Sequence, residues 1–338
     1  MPKTMRTMQR RLLAAVLPFL FAVAGAAAQE PGQAPAATPA DVVAATGRGL
    51  TEHVVVISVD GLRPDAIEEF DAQVIQHLMA EGTYSLDATT ILPSKTLPSH
   101  TSMLTGTTPD QHGITWNSEE MKEHGHVATP TIFASAKHAG LHTAAFFSKS
   151  KFQHLQVPGT LDYSQAPGGW PGKWRAERTV DDVRAYLERH RPNLLFVHLG
   201  EPDFVGHAAG WMSTPYGWAV READKQIGAL LAATDAAFGA HNYTVILTAD
   251  HGGHGRNHGS DDKRDVTIPW IVWGEGVLPG AMLERDIRTM DTAATALWLL
   301  GVPTELAAVG HPIYSAFTTT TAVTSVMASD GSQSDLHR

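Results

Sequence analysis

The sequence predicts an α/β fold, a three-layer sandwich of helices around a mainly parallel central sheet. Three observations carry that prediction. Short apolar runs alternate with helix-periodic stretches from about residue 53 to 301, the order that builds parallel strands joined by crossover helices. Those runs are continuous rather than alternating, as expected of strands covered on both faces. Asp60, Asp203 and Asp250 stand at or just past the ends of three of them, and open α/β sheets collect ligands at the carboxyl ends of their strands.

Taken in order, residues 1–28 read as an export signal. Lys3, Arg6, Arg10 and Arg11 precede the apolar run LLAAVLPFLFAVAG (12–25), and Ala26 and Ala28 fit cleavage after Ala28. The run is short for a membrane span. Residues 29–50, rich in Ala, Pro and Gly, read as a flexible linker. A single domain is expected over 51–317. HVVVISV (53–59) is its first strand, and DAIEEFDAQVIQHLMAE (65–81) a helix stopped by Gly82. TIFASAKHAG (131–140) and HTAAFF (142–147) repeat the helix–strand order, as do DDVRAYLERH (181–190) and NLLFVHLG (193–200). A longer helix around 217–238 leads to YTVILTAD (243–250). VTIPWIVWG (266–274) is one more strand, and DTAATALWLLG (291–301) a closing helix. Residues 318–338 are Ser/Thr-rich and read as a polar tail.

Composition narrows the function. The chain has 338 residues, 43% of them hydrophobic, enough for a substantial core. A net charge of −10 without a basic block argues against a nucleic-acid polymer as partner. A small anionic substrate would therefore need local positive charge, which bound metal ions supply. With no cysteine the chain has neither disulfides nor a lipidated cysteine anchor. A periplasmic or secreted protein, free of a membrane anchor once its signal is cleaved, is the expectation.

Asp203 and His207 in EPDFVGHAAG share one face if that segment is helical. TADHGGHGRNHGSDD brings Asp250, His251, His254 and His258 within nine residues, with glycines that let the backbone close around an ion. A histidine-rich surface loop is the plain alternative. Carboxylate and imidazole donors without thiolate suit zinc, with manganese or iron also compatible. Two such ions can clamp both sides of an in-line displacement at phosphorus. LPSKTLPSHTSMLTG (92–106) offers Thr96 as a nucleophile in a Pro-bracketed turn before a short helix, where an anion is also favoured. Alone, a threonine at a turn is usually structural.

Together these motifs resemble the alkaline phosphatase superfamily, specifically its nucleotide pyrophosphatase/phosphodiesterase (type I phosphodiesterase) branch, from about residue 53 to 312. SVDGLRPD resembles the opening metal-ligand motif, SKTLPSHTSMLTGTTPDQHGITWNS the nucleophile stretch, and HLGEPDFVGHAAG the second ligand pair. TADHGG and NHGSDD resemble the last two. The resemblance implies an alkaline-phosphatase-like fold and two Zn2+ ions. One would be held by Asp203, His207 and His258, the other by Asp60, Thr96, Asp250 and His251. Thr96 would form a phosphothreonine that water then hydrolyses, and Asn117 with the Thr96 N–H would stabilise the phosphoryl oxygens. The implied substrates are small phosphodiesters or nucleotide pyrophosphates. The alternatives are a phosphomonoesterase of the same superfamily and a non-catalytic metal- or phosphate-binding protein.

Two departures stand out. Only six residues separate His251 from His258, where larger relatives carry about a hundred, so a more open cleft is expected. Where the phosphodiesterases have an uncharged Trp-Pro-Gly after one strand, this chain reads FFSKSKF (146–152). Lys149 and Lys151 are either cations beside the phosphate or solvated loop residues, and nothing in the sequence fixes their direction. The loop reading is preferred, with a preference for diesters and appreciable monoesterase activity expected. His100, His112, His254 and His311 receive no assigned role. Trp170, Trp174 and Trp211 are read as core cover rather than a leaving-group surface.

Overall fold

The computed structural model describes residues 49–167, 175–303 and 308–318. The expected signal, nearly all of the linker, Trp170, Trp174 and the tail beyond residue 318 lie outside the described residues. Among the described residues, eight strands form one sheet: β1 Val54–Val59, β2 Thr83–Thr89, β3 Thr143–Phe146, β4 Tyr163–Gln165, β5 Leu194–Leu199, β6 Thr244–Thr248, β7 Thr267–Gly274 and β8 Ala281–Met282. Their order is β4-β3-β5-β1-β6-β7-β2-β8. Only β7 runs against its neighbours, β6 and β2; the pairs β3–β5, β5–β1 and β1–β6 are all parallel. β1, β5 and β6 are buried along their whole length, which is why their sequences are apolar apart from Ser58, His198 and the two threonines that end β6.

Helices cover both faces. On one side α1 (Pro64–Glu69), α2 (Gln73–Glu81), α5 (Ala176–Leu187) and α6 (Glu201–Ala209) pack against the long α7 (Thr214–Phe238). On the other, α8 (Asp291–Leu299) packs against α3 (Thr96–Thr105) and α4 (Ile132–His138). No described helix is long and apolar enough to cross a membrane.

The structure departs from the predicted elements in two ways. The single helix expected over 65–81 is two, because Asp71 takes φ 53° and turns the chain. Asp224 of α7 then accepts hydrogen bonds from Val74 N (3.1 Å) and Ile75 N (2.8 Å), capping α2 from a distance where Ala72 cannot. Strands β2, β4 and β8 were not foreseen. β2 reads TYSLDAT and is only partly buried, while β4 and β8 span three and two residues, too few for a hydrophobic period to register.

Candidate metal centre

Four adjacent parallel strands aim their carboxyl ends at one place. β1 delivers Asp60, β6 delivers Asp250 and His251, and β5 runs into α6, which carries Asp203 and His207 one turn apart. β3, the next strand out, delivers Ser148 and Lys149. Gly61 makes the convergence possible. Its φ of +72° and the 3.0 Å between a Cβ built there and the Asp203 backbone leave no room for a side chain. Its N–H donates to Asp250 Oδ1 (3.1 Å).

The donor atoms face each other without hydrogen bonding. Asp60 Oδ1, Asp203 Oδ1 and Asp250 Oδ2 are buried and have no hydrogen-bond partner. Each nearby histidine spends its Nδ1 on a backbone carbonyl: His207 on Arg256 (2.9 Å), His251 on Gly252 (2.8 Å) and His258 on Ser94 (2.8 Å). Nδ1 is therefore the protonated nitrogen in the neutral ring, and Nε2 presents a lone pair. The Nε2 atoms of His207 and His258 lie 3.3 and 3.6 Å from Asp203 Oδ1. His251 Nε2 lies 3.4 Å from Asp60 Oδ1 and 3.2 Å from Asp250 Oδ2. Lone pairs opposed at such distances repel unless a proton or a cation sits between them, and unpaired buried carboxylate oxygens are costly. Asp203, His207 and His258 each offer an atom within 4.8 Å of the others, as do Asp60, Asp203 and His251. The donor chemistry and its orphaned oxygens fit divalent metal ions.

Titration behaviour follows from the same crowding. Burial and the charge of His251 push His258 down to about 3, and burial lowers His251, so both rings are neutral near pH 7. The adjacent Asp203 carboxylate outweighs burial and raises His207. Burial and the charge of Asp60 push Asp250 well up. Asp60 goes the other way: burial opposes its charge, but Lys149 and His198 outweigh it.

Thr96 opens α3, and its Oγ1 lies 3.3 Å from His251 Nε2. Asn117 sits beside it. Its Oδ1 accepts from Leu97 N (2.9 Å), which assigns the amide orientation and leaves Nδ2 as a donor. Beneath Thr96, His100 donates Nδ1–H to the Thr96 carbonyl (2.8 Å) and turns Nε2 to the Ser58 hydroxyl (2.8 Å). His100 thus holds the first turn of α3 against β1, a task the sequence did not reveal.

Lys149 is not a solvated loop residue. Its Nζ lies 2.5 Å from Asp60 Oδ2 and 2.6 Å from Asp203 Oδ2. Burial opposes its charge, but Asp203 and Asp60 outweigh that and raise it. His198 was also missed: its Nε2 is 2.9 Å from Asp60 Oδ2 and its Nδ1 is 2.7 Å from Ser148 Oγ. The signal was present, since a lone histidine inside the buried run LLFVHL is a polar residue needing partners.

The remaining candidates divide cleanly. His254 donates to Asp265 (2.7 Å), whose other oxygen accepts from Ser260 N and Oγ, so His254 braces the loop that presents His258. His112 is half of a buried pair with the Ser102 hydroxyl. Trp211 is 6% exposed, covers Gly253 and Gly206, and donates to the Gly61 carbonyl (3.0 Å); it is core cover. The His311 N–H donates to Asp291.

A mixed eight-stranded α/β sandwich with carboxylates and histidines at its strand ends defines an alkaline-phosphatase-like protein. The family model for type I phosphodiesterase / nucleotide pyrophosphatase matches residues 54–263. The chain belongs to that family. It is 26% identical over 221 residues to human ectonucleotide pyrophosphatase/phosphodiesterase family member 1, covering 60% of this chain and 24% of the relative. It is 27% identical over 221 residues to the Xenopus laevis bis(5'-adenosyl)-triphosphatase enpp4, covering 60% of this chain and 47% of the relative. The chain therefore spans less than half the length of these curated relatives. Among solved structures, murine ectonucleotide pyrophosphatase/phosphodiesterase 5 in complex with AMP matches with a TM-score of 0.66 at 16% identity, covering 79% of this chain and all of that one. The alkaline phosphatase PafA matches at 0.67 and 13%, covering 79% and 99%. Both likenesses establish the fold.

Proposed function

We propose that the chain is an exported two-metal phosphoric ester hydrolase that cleaves phosphodiester or nucleotide pyrophosphate bonds through a phosphothreonine at Thr96. The observation that carries this is the convergence of three orphaned carboxylate oxygens and three imidazole Nε2 atoms on one space beside the Thr96 hydroxyl. Asp203, His207 and His258 would hold one ion; Asp60, Asp250 and His251, with Thr96, would hold the other. Zinc is the first choice of metal, with manganese or iron compatible. When bound, the ions supply Lewis acidity and neutralise charge on the reacting oxygens.

This chain's own residues do the rest. Thr96 Oγ1 attacks phosphorus, and its position at the start of α3 puts the Thr96 N–H, which has no acceptor within the helix, beside the phosphoryl group. Asn117 Nδ2, freed by the bond from its Oδ1 to Leu97 N, donates to an equatorial oxygen. His100 fixes the carbonyl of Thr96 and so the direction of its side chain. Family membership and the nucleotides named for relatives, AMP and bis(5'-adenosyl) triphosphate, support a nucleotide-like substrate. The segments 1–28 and 29–50, read as signal and linker, support export, and 51–317 is the proposed catalytic domain.

Zinc-reconstituted protein should hydrolyse bis(p-nitrophenyl) phosphate, lose that activity to a chelator and regain it with added zinc. A chain that binds zinc and phosphate but turns over no ester would favour the non-catalytic alternative.

A further inference from the structure

His207 is the most exposed of the three imidazoles in the centre, and its ring needs more than one hydrogen bond to stay aimed. The bond from its Nδ1–H to the Arg256 carbonyl (2.9 Å) pins one atom but leaves the plane free to turn. The ring lines a cavity of about 510 Å3 together with Lys149, Lys151, Phe204 and Ala208. His258 lies 5.0 Å from it between centroids, and the plane of His258 is set by stacking on His251 at 3.6 Å and 10°. Trp211 backs them both. Its indole meets His207 edge-to-face at 5.1 Å and 84° and His258 at 5.8 Å and 62°. Edge-to-face contact favours one relative orientation of two rings, so it sets the plane as well as the position.

Trp211 is itself locked from three directions. Its backbone N–H donates to the Gly255 carbonyl (2.7 Å), in the loop between His251 and His258. Its Nε1–H donates to the Gly61 carbonyl (3.0 Å) in the turn after Asp60. A Cβ built at Gly206 or Gly253 would lie 2.7 or 2.2 Å from the indole, so neither position has room for a side chain. One ring thus touches the turn after β1, the helix α6 that carries Asp203 and His207, and the loop that carries His258. The Gly61 carbonyl also accepts from the Tyr216 hydroxyl (2.8 Å), so the turn beside Asp60 and Asp250 keeps a partner with or without the indole.

We propose that Trp211 is a positioning residue for the more open of the two metal sites: it holds the imidazoles of His207 and His258 with their Nε2 atoms aimed at Asp203 Oδ1. The proposal rests on the two-metal reading. Its consequence is selective. Removing an indole that only filled the core would loosen both ligand sets alike. An indole that orients two rings of one set, over a turn with a second donor, should on removal loosen that set and spare Asp60, Asp250 and His251.

The test measures zinc affinities of the full chain by chelator competition, well below the melting temperature of each variant. Trp211→Phe keeps an aromatic ring in the core and loses the Nε1–H and part of the contact. It should weaken the more weakly held zinc by about 10-fold and leave the tighter one within about twofold. Trp211→Leu, with no ring, should weaken the same ion further, towards ~100-fold; because that variant disturbs the core more, Trp211→Phe decides. The control is Trp270→Phe, which removes an indole that is 0% exposed in β7 and donates to Thr292 Oγ1 (3.2 Å). It should lower the melting temperature and change neither affinity. Both affinities of Trp211→Phe unchanged within about twofold would overturn the proposal. So would equal losses at the two ions, or an equal loss in Trp270→Phe, either of which would leave Trp211 a packing residue alone. Wild-type protein that takes up fewer than two zinc ions would instead overturn the two-metal reading.

Discussion

Asp60, Asp250 and His251 are 0% exposed at the ends of β1 and β6, whereas the other group opens at one member: the His207 side chain is 43% exposed on a short helix, while Asp203 on the same helix and His258 on a glycine-rich loop are 6% and 5% exposed. The first group is held by the sheet itself: Asp60 by His198 and Lys149, Asp250 by the Gly61 N–H. The second is held by α6 and by backbone carbonyls of two loops. In the two-metal reading, the dry half would retain its geometry whether or not an ion is present. The half that opens at His207 would exchange its ion and admit substrate. Both are needed if one side of the site must stay fixed around the nucleophile while the other meets a changing substrate.

The largest effect should come from breaking the buried half. Asp60→Ala leaves His198 and Lys149 short of a buried partner, a change that typically costs about 3–5 kcal/mol. Metal-free protein should melt roughly 10 °C lower in calorimetry, and zinc-reconstituted protein should retain one ion instead of two. A variant with wild-type melting and two ions would show that the buried carboxylate is not the anchor described.

In the open half, His258→Ala should weaken zinc binding by ~100-fold in a chelator competition while leaving metal-free melting nearly unchanged. His254→Ala should do less, roughly 10-fold, since it acts through Asp265 and the loop. The reverse ranking would reassign the last ligand. Sharper still is the kinetics of metal removal. A chelator should strip zinc in two phases, and His207→Ala should accelerate the fast phase alone; a single phase would erase the distinction between the halves.

How much of this was legible follows the same division. The strands that carry the buried half are continuous apolar runs ending in Asp60 and Asp250, so pattern and chemistry pointed to the same positions. The Asp203–His207 spacing was readable once α6 proved helical. Lys149 was not, because the sequence shows that it follows a strand but not which strand lies next to β5. Topology decides that, and with β3 beside β5 the lysine has nowhere to go but the carboxylates. His198 and His100 were hidden for another reason. Both are buried neutral rings whose partners, Ser148, Ser58 and the Thr96 carbonyl, are distant in sequence or belong to the backbone.

Those buried rings set a smaller, pH-dependent effect. Burial lowers His100, His198 and His112, the last to about 4, all from an ordinary value of 6.5. As pH falls below 6.5 the unfolded chain binds protons that the folded chain refuses, so stability is lost on the acid side, at most by about 1.4 kcal/mol per pH unit for each ring. Melting of metal-free protein should be highest near neutrality and fall between pH 6.5 and 5. A melting temperature flat across that window would mean these histidines protonate freely in the folded state.

The central claim, that Thr96 is the nucleophile of a two-metal centre, meets its most direct test in an acid-quenched reaction. Zinc-loaded protein mixed with excess bis(p-nitrophenyl) phosphate and stopped within the first turnovers should yield, on peptide mass spectrometry, a substrate-derived phosphoryl adduct at Thr96. The Thr96→Ala protein should show no adduct and a turnover rate lower by roughly 10^4-fold or more. Full turnover by Thr96→Ala, or a wild-type enzyme whose only adduct lies on another residue, would contradict the account.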